Sequence, residues 1–228
     1  MTGQLVFDLP AQAAYRREGF FASPSNVLAL NTLAHWRGWP GGKMILVGPR
    51  GAGKTHLAHI WATDAEAVLV AASDLDDTDL PALAAVGAVC IEDAEAVAGQ
   101  PARESALFHL HNLLAECRGA LLLTCATPPR DWGMALPDLA SRMQAATLTR
   151  LDPPDDALLA AVLEKLFADR QIAVPPTLIP YLISRMDRSF DAARDLVARL
   201  DTQALAEGRA VTRPLAAKLL DSATGSPD

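Results

Sequence analysis

Eight consecutive residues, Gly48-Pro49-Arg50-Gly51-Ala52-Gly53-Lys54-Thr55, follow the pattern G-x-x-x-x-G-K-[ST] without exception. That pattern suits a phosphate chain. Glycines let backbone N–H groups turn inward around a β-phosphate, and the start of the next helix adds its positive dipole end. Lys54 can neutralise β- and γ-oxygens, and the Thr55 hydroxyl can hold Mg²⁺. Such a loop needs an acidic motif as partner, with one carboxylate reaching the magnesium and another orienting water. Val89-Cys90-Ile91-Glu92-Asp93, an apolar run ending in two acids, supplies it, and it is expected on a strand neighbouring the loop. The first acid of such pairs is usually aspartate. Here it is Glu92, whose extra methylene changes the reach to the metal and points to slow hydrolysis by this chain itself.

Other residues carry less. His56 continues the loop and joins its candidate ligand-side residues, yet His56 and His59, one helical turn apart, form neither a metal trio nor a catalytic dyad and otherwise read as helix surface. Trp36, Trp39, Trp61 and Trp132 are not interleaved with basic residues, so stacking on bases is not supported. Cys90, Cys117 and Cys125 lie in or near apolar runs without paired spacing and read as small core residues.

The glycine loop follows an apolar strand beginning near Met44 and leads into a helix. Comparable runs recur at 67–72, 88–92, 120–124 and 146–150. Strands this apolar on both faces belong in a parallel sheet covered by helices, so the expectation is an α/β fold with five parallel strands. Ser23 and Pro24 read as the cap and first turn of a helix that precedes the first strand. After Leu151 the pattern turns helical. Asp152 to Asp156 caps one helix to about Arg170, Pro175-Pro176 opens a second, Ser189 caps a third to about Glu207, and Thr212 starts a fourth. The expected division is an N-terminal segment 1–12, an α/β nucleotide-binding domain 13–151, a helical domain 152–222 and a tail 223–228.

The chain has 228 residues, half of them apolar, and a net charge of −7. A sequence-independent grip on a nucleic-acid backbone needs clustered cations and is not advertised. No stretch reaches the length of a membrane span and the start has no signal-peptide character, so the cytoplasm is expected, with small ligands and proteins as partners.

The two motifs, Pro128-Pro129 after the fourth strand, the segment Leu136-Pro137-Asp138-Leu139-Ala140-Ser141-Arg142-Met143 and the helical last third together resemble the AAA+ ATPases of the DnaA clade. Within that clade the chain is most similar to the Hda family. Its residues stop after the helical lid, so the initiator's helix-turn-helix DNA-binding domain is not expected. The acids continue as Glu-Asp-Ala-Glu-Ala-Val-Ala-Gly from Glu92, and Gln4-Leu5-Val6-Phe7-Asp8-Leu9 is similar to that family's sliding-clamp-binding peptide. Physically, Gln4 offers directional hydrogen bonds while Leu5, Phe7 and Leu9 can fill an apolar groove; the alternative is an N-terminal strand packed on this chain's own core.

The resemblance implies strand order 5-1-4-3-2, bound ADP or ATP with Mg²⁺, and metal contacts from Thr55, Glu92 and Asp93. It implies DnaA and the sliding clamp as partners, no membrane, no direct sequence-specific DNA contact, and possible assembly of several copies. It implies that Arg142 acts in trans on the γ-phosphate of DnaA-bound ATP; the alternative is a surface arginine paired with Asp138. Phe20, Phe21 and Asn26 fall where the adenine-side segment begins, although adjacent phenylalanines also suit a core. Two positions depart from the family. Ala126 replaces a polar γ-phosphate sensor, with Thr124 or Thr127 as substitutes, and Asp191 stands where the lid's sensor arginine is expected, with Arg194 one turn later as the candidate nucleotide contact. The function implied is negative regulation of replication initiation by an activator of another protein's ATPase. The alternatives are a non-catalytic adaptor of DnaA and a self-sufficient motor such as a helicase loader.

Overall fold

The computed structural model describes residues 21–224, so Gln4, Leu5, Phe7, Leu9 and Phe20 lie outside the described residues. The chain divides into two units. One comprises Leu28–Val47 and Lys54–Arg150; the other comprises Ala22–Val27, Gly48–Gly53 and the residues from Leu151 onward.

The first unit is built on β1 (Lys43–Val47), β2 (Val68–Ala71), β3 (Ala88–Glu92), β4 (Ala120–Cys125) and β5 (Leu148–Arg150). All pair in parallel, in the order 2-3-4-1-5, which is the order the resemblance implies. Burial explains the apolar runs. Every residue of central β4 is buried, whereas edge strand β2, with one neighbour fewer, leaves Val68 and Ala71 exposed. Val47 lies opposite Cys125 and Ile91 opposite Leu123, so β1, β4 and β3 end along one edge of the sheet. Open parallel sheets bind ligands at that carboxyl edge. The strand with the acidic pair is not β1's direct neighbour, as the sequence suggested; β4 lies between them.

The helices of this unit are α1 (Val27–Ala34), α2 (Lys54–Ala65), α3 (Leu80–Ala85), α4 (Pro101–Glu116) and α5 (Pro137–Ala145). Proline stands in the first turn of α3, α4 and α5, where its missing N–H costs nothing. Leu107, Leu110 and Leu114 recur at helical spacing on α4 and are fully buried in one core with Val89, Ile91 and Leu121. Truncating any of them to alanine costs about 2–5 kcal/mol. Trp39 stacks on Trp61 at 5.5 Å, and Trp36 meets Trp61 edge-on at 6.3 Å, so these rings pack against one another. Cys90 and Cys125 are buried, but Cys117 is exposed because it stands at the open carboxyl end of α4.

The start of α1 falls later than Ser23. Asn26 Oδ1 accepts from the Ser23 N–H at 2.9 Å and the Ser23 hydroxyl meets that of Ser25 at 2.7 Å. These bonds make a turn of the segment expected to open the helix.

In the second unit α6 (Asp156–Asp169), α7 (Leu178–Ile183), α8 (Phe190–Glu207) and α9 (Arg213–Thr224) surround a core that includes Leu163, Phe167, Leu178, Leu182, Val197 and Leu200. Side-chain caps set the boundaries: Asp155 accepts from the Leu158 N–H at 2.9 Å and Ser189 from the Ala192 N–H at 3.0 Å. Gly208, left-handed at φ 59°, ends α8. Among the described residues no helix is long and apolar enough to cross a membrane.

Candidate functional site

β1 runs out at Val47 and α2 begins at Lys54, so six residues must carry the chain from strand to helix. Gly51 and Gly53 do so at φ +71° and +99°, a region side chains rarely adopt. Space enforces the same choice. A Cβ on Gly48 would lie 2.6 Å from the Leu151 carbonyl oxygen, one on Gly51 2.5 Å from Cβ of Ser189, and one on Gly53 2.9 Å from the Phe190 ring. The Phe190 N–H donates to the Gly51 carbonyl at 2.8 Å. The N–H groups of Gly51 and Gly53 have no acceptor among the described residues, and unpaired backbone donors at a helix start are what an anion takes up.

Around that loop Lys54 is buried, Thr55 is exposed, Ala52 is buried, Pro49 and Arg50 are exposed, and His56 is half-buried. Phe21 is 54% exposed, so it is no core residue, while Asn26 is buried. Asp191 matters most among the neighbours. Its Oδ2 lies 3.2 Å from the place a Gly51 Cβ would occupy, and its Oδ1 pairs with Arg194 Nη2 at 2.5 Å. A carboxylate thus stands close to the glycine, beyond Ser189, and Arg194 is engaged by that carboxylate.

At the carboxyl edge of the first unit, Glu92 Oε1 is enclosed without a hydrogen-bond partner among the described residues, and so is Glu95 Oε2. Enclosed carboxylate oxygens without donors call for a cation or water. Asp93 is exposed and left-handed at φ 51°, an uncommon conformation outside glycine. Its N–H donates to the Thr124 hydroxyl at 3.3 Å, so Thr124 is engaged by the acidic turn, while Thr127 is exposed. The Ala126 N–H donates to Glu95 Oε1 at 2.8 Å. Burial pushes the Cys125 thiol up to about 12, and Glu95 adds to the rise while Lys54 opposes it. Asp93 also raises it, so the charges of Lys54, Asp93 and Glu95 all act on this one thiol. Sequence reasoning had not singled out Glu95. Its signal was the third acid within four residues, and its partner, a backbone N–H thirty-one residues away, was not visible.

Within the first unit the buried Lys54, the exposed Thr55 hydroxyl and the orphaned Glu92 oxygen are of types that suit phosphate oxygens and Mg²⁺, and within the second the two open N–H donors suit an anion. No cluster of three or more His, Cys, Asp or Glu side chains suited to a metal occurs among the described residues. A Mg²⁺ that shares phosphate oxygens and keeps water needs only one or two protein carboxylates.

Arg142 lies in the last turn of α5 and is exposed. It forms no ion pair with Asp138, or with any acid among the described residues. Its guanidinium carbon lies 5.1 Å over the Phe108 ring of α4. The candidate residues therefore fall into separate groups: the glycine loop with Asp191 and Arg194, the acidic edge with Lys54, and the α4–α5 face with Arg142.

A five-stranded parallel sheet in the order 5-1-4-3-2, a phosphate-type loop after β1 and a four-helix second unit are the architecture of the AAA+ fold. The fold is similar to that of domain III of DnaA from Thermotoga maritima, at 20% identity over 91% of this chain and 96% of that one, with a TM-score of 0.75. It is also similar to AMPPCP-bound DnaA from Aquifex aeolicus, at 17% identity over 82% of this chain and 65% of that one (TM-score 0.70). A third likeness is to the FIGL-1 AAA domain in complex with ADP, at 16% identity over 84% and 76% (TM-score 0.64). Identities this low show the fold. Residues 155–220 match the family described as "Hda, lid domain". The chain therefore has the fold of DnaA-type AAA+ domains, and its residues 155–220 are similar to an Hda lid domain.

Proposed function

We propose that the protein is a negative regulator of chromosome replication initiation. It docks on the DNA-loaded sliding clamp through Gln4, Leu5, Phe7 and Leu9, and it stimulates ATP hydrolysis by DnaA with Arg142 as a trans arginine finger. The observation that carries this reading is the state of Arg142: exposed, without an acidic partner among the described residues, and close to the end of a helix in an Hda-like AAA+ protein. A guanidinium already committed to a local carboxylate has to break that pair before it can serve another phosphate.

Gly48 to Thr55 would hold ADP or ATP, with His56, Phe21 and Arg194 as further contacts, and Thr55, Glu92 and Asp93 would hold Mg²⁺. Bound there, the nucleotide supplies the anion for which the loop's open donors are arranged, and Mg²⁺ offsets phosphate charge. The chain's own hydrolysis is slow on this reading. Glu92 stands in for aspartate, and Ala126 has no side-chain donor. The group placed to meet developing charge is Arg142, and such fingers are worth about 10³ to 10⁵ in rate.

The test is stoichiometric. ATP-loaded DnaA, DNA-loaded clamp and a tenfold deficit of this protein are mixed, and released phosphate is counted. Many turnovers per molecule are expected, against slow release by the protein alone. Binding without phosphate release would make it an adaptor, and rapid hydrolysis by the isolated chain would make it a motor.

A further inference from the structure

Glu104 is 1% exposed, and a carboxylate that deep is costly unless hydrogen-bonded. Its bonds have a pattern. Oε1 accepts from the N–H of Gly99 at 2.8 Å and of Ala135 at 3.0 Å, and Oε2 accepts from the N–H of Leu136 at 2.7 Å. Ala135 and Leu136 are the two residues immediately before Pro137, the first of the nine-residue helix α5 that carries Arg142. Burial alone would raise the Glu104 carboxyl, but the donors of Ala135, Leu136 and Gly99 outweigh it and hold it below the usual carboxylate range.

One turn further along α4, on the same face, Phe108 places its ring beneath the Arg142 guanidinium. Helix α4 thus meets α5 twice, at its root through Glu104 and at its functional side chain through Phe108. We infer that Glu104 and Phe108 are positioning residues for Arg142, the carboxylate fixing where α5 starts and the ring holding the guanidinium extended until a phosphate takes it. This inference rests on the proposed role of Arg142. A reporter is built in. His111, 4% exposed on α4, meets Lys43 Nζ at 2.7 Å and Asn112 Oδ1 at 3.3 Å; burial lowers its pKa first and the Lys43 charge next, the Asn112 bond raises it, and the Arg142 charge lowers it by the least.

The experiment uses the full chain with ATP-loaded DnaA and DNA-loaded clamp, together with an NMR titration of His111. A glutamine has one acceptor oxygen, so in Glu104→Gln at least one N–H faces an NH₂ donor. The expected result is a fall of about 10- to 100-fold in the maximal stimulated rate with the half-saturating concentration unchanged, because sub-ångström misplacement removes transition-state contacts. The His111 midpoint should rise as Arg142 withdraws. Phe108→Leu leaves all three Glu104 bonds in place and should lower the rate several-fold with an unchanged melting temperature; it carries the test if Glu104→Gln fails to fold. Adding Glu104→Gln to Arg142→Ala should lower the rate no further.

Wild-type rates and unmoved His111 midpoints in both folded single variants would overturn the inference. So would fully additive losses in the double variant, which mark a general structural role. If Arg142→Ala alone leaves stimulation intact, the proposed function falls, and the His111 midpoint still judges whether Glu104 and Phe108 hold the arginine.

Discussion

The carboxyl edge of the sheet and the α4–α5 face treat their charged groups differently. At the edge, oxygens of Glu92 and Glu95 are enclosed without donors, Asp93 is held in a left-handed conformation, and the position after Cys125 is an alanine. On the α4–α5 face the buried carboxylate has three donors, and the arginine lies against an aromatic ring with no acid to hold it back. The first arrangement is incomplete until an ion or a nucleotide completes it, whereas the second is complete before any partner arrives. Such a contrast is what the proposed function requires, in which the nucleotide is a fixture and the arginine serves a neighbour.

The largest effect that would sharpen this contrast is at the loop. Lys54→Ala removes the buried ammonium, and charged hydrogen bonds to phosphate are worth about 1.5–3 kcal/mol each, so ADP affinity by calorimetry should fall roughly a hundredfold. Retained affinity would break the reading of the loop. Next comes Gly51→Ala, which forces a Cβ to within 2.5 Å of Ser189 at φ +71°. It should cost about 1–3 kcal/mol in denaturant unfolding; a neutral result would mean that the close packing of Gly51 is easily relieved.

Acid should separate wild type from Glu104→Gln. The folded pKa of Glu104 is depressed, so its contribution is fully present above the unfolded value of about 4.3 and is lost as pH falls through the folded value. Wild-type stability should therefore drop more steeply than the variant's as pH falls below the unfolded value, and parallel curves would argue against the three-donor cage. The smallest effect is expected from Glu92→Asp, which restores the usual acid. The chain's own ATPase should rise by no more than about tenfold, and a rise to motor-like rates would show that one methylene had been suppressing a complete hydrolytic site.

Much of this was legible where the deciding interaction is local. The glycine loop, Ser189 as a cap three residues before the N–H it accepts from, and Gly208 as a terminator all act within a few residues. The five strands could be read from apolar runs, although their order came only through the resemblance. What escaped depended on partners far along the chain. Nothing in the sequence singled out Glu104, because its donors Ala135 and Leu136 lie more than thirty residues away. Glu95 was passed over because its partner, the Ala126 N–H, lies thirty-one residues away, and Arg142 had a nearer acid in Asp138 than the ring it meets. The late start of α1 was hidden by Asn26, which engages the Ser23 N–H through its side chain.

The central claim, that a guanidinium of this chain acts on nucleotide held by another protein, is tested most directly by Arg142→Ala. Phosphate release from ATP-loaded DnaA on DNA-loaded clamp is followed alongside the variant's own nucleotide affinity and melting temperature. Stimulation should fall by about 10³ or more while affinity and melting stay at wild-type values. Undiminished stimulation by the folded variant would contradict the account.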